Sequence, residues 1–217
     1  MKEAKALLAV WMNPAPERED DLNRWYAEEH FPDRLAMLGW LRGRRYVSLE
    51  GEHKYVALYD LEDLGALSSP KYKEAQANST PWTRRVVDNL RGFTRTEYEL
   101  VQSLGQSPQG GAPFALFVRL ETEPEHDAEL NEWYEQEHLP ALVGVPGCLS
   151  ARRYRMTAGT TDSVKYLMIY EAETRETIRG NAWTKAATTD WTLHMRPFFR
   201  NRKDNLVQLI ASLDNVQ

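Results

Sequence analysis

Two stretches of this chain repeat each other. Residues 22–46 read LNRWYAEEHFPDRLAMLGWLRGRRY and residues 130–154 read LNEWYEQEHLPALVGVPGCLSARRY; at an offset of 108 with no gap, 12 of the 25 positions are identical. Beyond this core, Lys54-Tyr55 and Tyr59 match Lys165-Tyr166 and Tyr170 after a small insertion in the second copy, and Trp82-Thr83 matches Trp191-Thr192. A domain-sized period means a tandem duplication, not a solenoid of short repeats. Whatever the fold, one unit of roughly 100 residues must be able to form it twice. The stretch Gln102 to Pro113 is rich in Gly, Pro, Ser and Gln and reads as the junction. That gives a first repeat over residues 1–102, a linker over 103–113 and a second repeat over 114–217.

Each half gives the same coarse string. Ala6–Met12 and Phe114–Leu120 are apolar runs of strand length. Acidic, Pro-bearing stretches follow, suited to the first turn of a helix. The spacing predicts helices over 17–30 and 125–138, with Leu22, Trp25, Tyr26 and Glu29 on one face and Leu130, Trp133, Tyr134 and Glu137 on its counterpart. Pro32 and Pro140 are expected to stop them. Gly39 and Gly147 lead into second strands over 40–49 and 148–157, and turns at 50–53 and 158–162 return the chain into third strands at Tyr55–Tyr59 and Tyr166–Tyr170. A second helix and a final strand, over 93–101 and 198–203, complete each half, although Phe198 onward also suits a helix. The order β-α-β-β-α-β is the ferredoxin-like unit, an α+β class with helices on one face of a four-stranded sheet. The bare face must be covered, and two copies in one chain can pair those faces into an eight-stranded barrel.

Composition narrows the function classes. The 217 residues include 7 Trp, 10 Tyr and 6 Phe, enough to fill a sizeable core. There is no long apolar run, so no membrane-spanning helix and no membrane partner are expected. The short run Ala6 to Met12 lacks the features of a signal peptide, so a cytoplasmic location is expected. Cys148 is the only cysteine, which rules out an intrachain disulfide and paired-thiolate metal sites. A net charge of −5 argues against nucleic acid as the main partner. No Gly-rich phosphate loop, nucleophile elbow or His-Glu-x-x-His motif occurs, and no metal or cofactor is called for.

The strongest local pattern is Asn-x-Trp-Tyr-x-x-Glu-His-x-Pro, carried by Asn23, Trp25, Tyr26, Glu29, His30 and Pro32 and again by Asn131, Trp133, Tyr134, Glu137, His138 and Pro140. Followed by Gly and a strand Arg-Arg-Tyr, it resembles the dimeric α+β barrel superfamily, in particular EthD-like and related uncharacterised proteins; the stretch from Trp191 to Arg202 looks like the closing segment of the same group. The resemblance covers nearly the whole chain, once per half. It implies the fold strongly and the function weakly, because relatives include isomerases, cyclases, oxygenases, decarboxylases and accessory proteins. Most relatives carry one copy and dimerise, whereas this chain resembles a fused pair that could dimerise further.

His30 and His138 are the first candidates for chemistry, since an imidazole can take or give a proton near neutral pH and Tyr26 or Tyr134, four residues earlier, could orient it or stabilise an oxyanion. Capping of the last helical carbonyls explains the same histidines equally well. Strand alternation sets Arg44 with Tyr46, and Arg152 with Tyr154, on one face, and Arg45 and Arg153 on the other. An inward arginine could bind a carboxylate or enolate; an ion pair with Glu29 or Glu137 is the simpler role. Trp11 in one copy corresponds to Arg119 in the other, and Arg84 and Arg85 stand near the place where His194 and Arg196 occur in the second copy. With the neighbouring Trp183 and Trp191, His194 tilts the choice of working half towards the second. His53 in a turn and His126 at a helix start read as solvated, and Cys148, standing where the first copy has Trp40, as a packing residue.

Three functions follow as expectations. The first is a cofactor-independent enzyme of isomerase, cyclase, dehydratase or decarboxylase type, acting on a small apolar, aromatic or polyketide-like compound by proton transfer through His30 or His138. The second is a non-catalytic small-molecule binder or accessory protein. The third is a haem protein with His194 as ligand.

Overall fold

In the computed structural model, which describes residues 3–215, the eight strands close into one antiparallel barrel in the order β1-β3-β2-β8-β5-β7-β6-β4. The strands are β1 (Ala6–Pro14), β2 (Trp40–Glu50), β3 (Tyr55–Leu61), β4 (Leu90–Gly105), β5 (Phe114–Thr122), β6 (Cys148–Gly159), β7 (Tyr166–Ala172) and β8 (Phe199–Asp214). Each half contributes a ferredoxin-like sheet, β4-β1-β3-β2 and β8-β5-β7-β6. The halves meet edge to edge along two seams, β2 with β8 and β4 with β6, where Tyr46 lies opposite Leu209 and Leu100 opposite Tyr154. Closure leaves no sheet edge unpaired. The pseudo-two-fold axis that relates the halves runs along the barrel, so equivalent residues sit at the same end.

Alternation along the strands sorts the side chains. Leu7, Ala9 and Trp11 of β1, with Ala115 and Phe117 of β5, enter the lumen and join Tyr46, Tyr98, Tyr154 and Ile169 in a sealed inner core. Leu8, Val10 and Met12, and Val118 and Leu120, face outward into two separate cores beneath the helices of each half. Duplication thus produces three cores, two repeated and one shared.

The lumen also holds charge. Arg44, Arg152, Asp60 and Glu171 meet near one end of the axis, a site related to itself by the duplication. Arg44 clasps Asp60 at 2.6 and 2.7 Å and reaches Glu171 at 2.9 Å; Arg152 lies 3.3 Å from Asp60 and 3.5 Å from Glu171. Two guanidinium groups and two carboxylates balance. Burial pushes the Glu171 carboxyl up, but Arg152, Arg44 and the Ser150 hydroxyl outweigh it and hold the group down at about 2. The inward arginines therefore pair with the strand acids Asp60 and Glu171, not with Glu29 and Glu137 of the helices, because Arg44 and Arg152 project to the opposite face of the sheet from those helices. Towards the other end, Trp11 and Arg119 meet across the axis, the guanidinium 4.2 Å from the indole centre. A symmetric pair there would oppose two cations or two indoles; the unlike pair fits.

The connection between halves passes over the charged end. β4 continues to Gly105, and the following residues bring Gly111 against Arg44 and bury Ala112.

The helices depart from expectation at one place. Each runs through its proline: α1 (Glu19–Trp25), a π-turn at Tyr26–His30 and α2 (Phe31–Leu35) form one rod, repeated as α5 (Asp127–Trp133), Tyr134–His138 and α6 (Leu139–Val143). The amide of Phe31 bonds to the carbonyl of Tyr26, and that of Leu139 to Tyr134, five residues back. The widened turn accommodates a proline that has no N–H to give and whose ring crowds a normal turn. The histidines accordingly stand inside a helix and do not cap its end. Helices α3 (Pro70–Ala77) and α4 (Pro81–Val87) complete the first outer layer; α7 (Arg175–Arg179), α8 (Asn181–Ala186) and α9 (Asp190–Met195) complete the second. Phe199 onward is strand. No helix among the described residues is long and apolar enough to cross a membrane.

Candidate functional site

The π-turn assembles the repeated motif. A π-turn brings residues five apart onto one face, so His30 stacks on Trp25 at 4.0 Å and His138 on Trp133 at 4.1 Å. Tyr26 meets His30 edge-on at 5.3 Å, and Tyr134 meets His138 at 5.4 Å. From the sheet, Tyr59 and Tyr170 present further edges to the two imidazoles at 6.0 and 6.5 Å. The motif glutamates serve the scaffold. Glu29 accepts hydrogen bonds from Trp25 Nε1 at 3.1 Å, Thr80 Oγ1 at 2.7 Å and Thr83 Oγ1 at 2.8 Å, which ties the first helix to the N-cap of α4. Glu137 accepts from Thr189 Oγ1 at 2.5 Å, the N-cap of α9. Outward arginines hold the tyrosines: Arg45 lies between Tyr26 and Tyr55 at 4.4 and 4.3 Å, and Arg153 between Tyr134 and Tyr166 at 4.8 and 4.5 Å.

Each imidazole lines a cavity between sheet and helices, but the cavities differ. The first repeat encloses about 280 Å³, walled by Trp25, Tyr26, His30, Trp40, Tyr59 and Tyr72. The second encloses about 80 Å³. Here Leu90 and Tyr72 of the first cavity give way to the larger Phe199 and Trp183, and Trp183 packs edge-on against Tyr170 at 5.4 Å. The mouths differ too. Val87 and Phe93, 48% and 42% exposed, rim the first; at an offset of 109 their equivalents at the second are Arg196 and Arg202.

Burial governs protonation. It carries the His30 imidazole well below its ordinary value, and the positive charge of Arg34 adds to the fall. His138 is pushed down to about 3, by burial and then by Arg202 and Arg196. Both rings are therefore neutral at pH 7. His138 Nδ1 is buried without a hydrogen-bond partner among the described residues. Burial raises the Tyr26 phenol to about 12, so it stays a donor, and its hydroxyl points at Met12 Sδ, 3.5 Å away.

The other sequence candidates distribute as follows. Arg44, Arg152, Arg119 and Trp11 lie in the lumen, on the far side of the sheet from both histidines, and reach neither cavity. Trp183 walls the second cavity; Trp191 packs beside it in the core beneath the helices. His194 lies outside both cavities, exposed, with Nε2 3.1 Å from Glu129 and its ring against Phe198. An exposed imidazole paired to a carboxylate and outside both cavities does not fit the axial ligand of a buried haem. His53 is buried, not solvated: it lies beneath the turn at the Arg119 end of the lumen, where desolvation and the Arg119 charge lower its pKa. His126 stacks on Phe198 at 3.7 Å. Cys148 packs against the second outer core. Sequence reasoning did not single out Tyr59, Tyr72, Arg34 and Arg95 for the site, yet all four line the first cavity. Tyr59 carried a signal, since it matches Tyr170 between the copies.

The fold recurs in solved structures. An anthrone oxidase-like protein superposes with a TM-score of 0.69 at 12% identity, covering 99% of this chain and 94% of its own. Proposed monooxygenases from Fusobacterium nucleatum and Lactobacillus acidophilus both superpose with a TM-score of 0.64, at 10% and 8% identity, covering 99% and 98% of this chain and 96% and 97% of theirs. The chain has the dimeric α+β barrel fold. Here both halves of the barrel come from one polypeptide. No protein-family model and no curated protein matches the sequence. At these identities the likeness speaks for the fold alone.

Proposed function

We propose that the first-repeat cavity binds a compact apolar ring compound and that His30 moves a proton on it. The observation that carries this reading is the contrast between the copies: the same His-Trp-Tyr-Tyr constellation faces about 280 Å³ behind an apolar rim in one half and about 80 Å³ in the other. A volume of 280 Å³ lies at the lower edge of the roughly 300–1,000 Å³ typical of small-molecule sites, which suits a two-ring ligand. This choice of half reverses the inclination drawn from His194.

The chemistry follows from the neutral ring. Unprotonated His30 can take the proton of a C–H acid beside a carbonyl. The electron pair left behind delocalises onto oxygen, where the Tyr26 hydroxyl and the Arg34 charge stabilise the enolate. Where a C=C adjoins the acidic carbon, the species is a dienolate, and return of the proton to its far carbon isomerises the compound. The same enolate is the species that an oxidase of such compounds would pass to dioxygen, so oxygen uptake belongs in the assay. A binder without chemistry is the alternative, supported by the low basicity of the buried imidazole.

The test is deuterium exchange of 2-tetralone in D2O, followed by proton NMR with an oxygen electrode alongside. The wild-type protein should accelerate exchange about 10²-fold or more. His30→Gln should remove the acceleration and His138→Gln should keep it. Because the His30 pKa is depressed, activity should persist when pH falls through 6.5. Binding of 2-tetralone with no exchange, or full exchange in His30→Gln, would leave only the binder.

A further inference from the structure

The second repeat has its own opening, with arginines at two rim positions where the first repeat has apolar side chains. Outside the small His138 cavity lies a cleft of about 490 Å³, which shares Trp183, Ala187, Arg196 and Arg202 with that cavity. Three arginines line it, Arg179, Arg196 and Arg202, against two acids, Glu50 and Asp204. Arg179 is paired with Glu50, and Arg202 is held by Asp204 through two bonds of 3.0 and 2.7 Å. Among the described residues Arg196 has no carboxylate partner. Its guanidinium reaches only the Ala187 carbonyl and the Thr188 hydroxyl, at 3.4 and 3.5 Å. The charge count over the cleft is three positive against two negative, and the surplus sits at the throat of the cavity.

The duplication shows that the two rim arginines are particular to the second half. At the two rim positions where the first repeat has Val87 and Phe93, the second has Arg196 and Arg202. Neither change is needed to hold the fold, since the first half builds the same order of strands and helices with Val87 and Phe93 at these positions. We propose that the second repeat carries a separate site for an aromatic carboxylate, with the ring against Trp183 and the carboxylate on Arg196 and Arg202. A guanidinium and a carboxylate match in charge and planar geometry. An anion gains a charge-assisted contact on Arg196 that a neutral ring lacks, while Glu50 and Asp204 are already neutralised by Arg179 and Arg202.

The experiment is calorimetric titration of the full chain with 2-naphthoate and its neutral counterpart 2-naphthamide. The wild-type protein should bind the carboxylate at least about tenfold more tightly, the effect of one charge-assisted contact. Arg196→Val with Arg202→Phe, which installs the first-repeat pair, should erase that preference, and Arg196→Lys should keep part of it. Should the double variant fail to fold, Arg196→Val alone, at an exposed position, should reduce the preference. Equal binding of the two probes, no binding of 2-naphthoate, or an unchanged preference in the folded double variant would overturn the proposal. The last of these would place the anion elsewhere in the chain.

Discussion

Glu171→Gln tests the claim that the charged cluster in the lumen is structural. The side chain is fully buried, accepts from Ser150 Oγ at 2.6 Å and Arg44 Nη1 at 2.9 Å, and has Arg152 at 3.5 Å. The amide keeps the shape but leaves two guanidinium groups facing one carboxylate. Breaking a buried pair in this way costs about 3–5 kcal/mol. A second route gives a similar size. The folded Glu171 carboxyl sits at about 2 against 4.5 for the free group, and at 1.36 kcal/mol per unit that difference amounts to about 3 kcal/mol of stability. The sign is that of a depressed carboxylate: the contribution is complete above pH 4.5 and is lost as pH falls towards 2. Urea unfolding, followed by both circular dichroism and tryptophan fluorescence to confirm one transition, measures both effects. Glu171→Gln should lower stability by about 3 kcal/mol at pH 7 and flatten the acid limb below pH 4.5. Adding Arg152→Met restores one cation to one anion, leaving the Arg44–Asp60 clasp, and should recover about 1–3 kcal/mol of the loss. A loss under about 1 kcal/mol at pH 7, or an acid limb as steep as that of the wild type, would refute the reasoning.

Two further outcomes follow from the barrel. Trp11→Arg should destabilise by about 3 kcal/mol or more, because it sets a second guanidinium against Arg119 in the lumen; exchanging the pair, Trp11→Arg with Arg119→Trp, should recover most of that in thermal melts. Gly111→Val should cost about 1–3 kcal/mol, since its Cβ would lie 3.1 Å from Arg44 Cδ at a φ of +97°. Gly110→Val, with nothing within 4 Å, should cost less in the same urea titration.

Much of the architecture was legible because the duplication doubled every signal. Strand alternation placed Arg44 and Tyr46 on one face and Arg45 on the other, and that is where they lie. Their full set of partners was not legible: Asp60 lies on the neighbouring strand, 16 residues from Arg44, but Glu171, 127 residues away, reaches Arg44 only through barrel closure. The prolines misled for a local reason: Pro32 and Pro140 normally end a helix, and a π-turn is a geometry that no propensity announces. That turn also changed the motif's pairing, stacking the histidine on the Trp five residues back as well as setting it near the Tyr four back. The difference between the cavities rests on a few substitutions at wall and rim positions, visible in the alignment of halves but not interpretable until the walls were known.

The unlike pair Trp11–Arg119 has a hereditary consequence. In a symmetric dimer every mutation appears twice at the axis, so a residue must be compatible with its own copy. Fusion lifted that requirement, and this chain has since accepted, at its axis and at its two rims, residues that answer to a different partner. Two copies of either half alone would bring tryptophan to tryptophan or arginine to arginine. Each half therefore completes the other at the axis, while each cavity is shaped by residues of its own half.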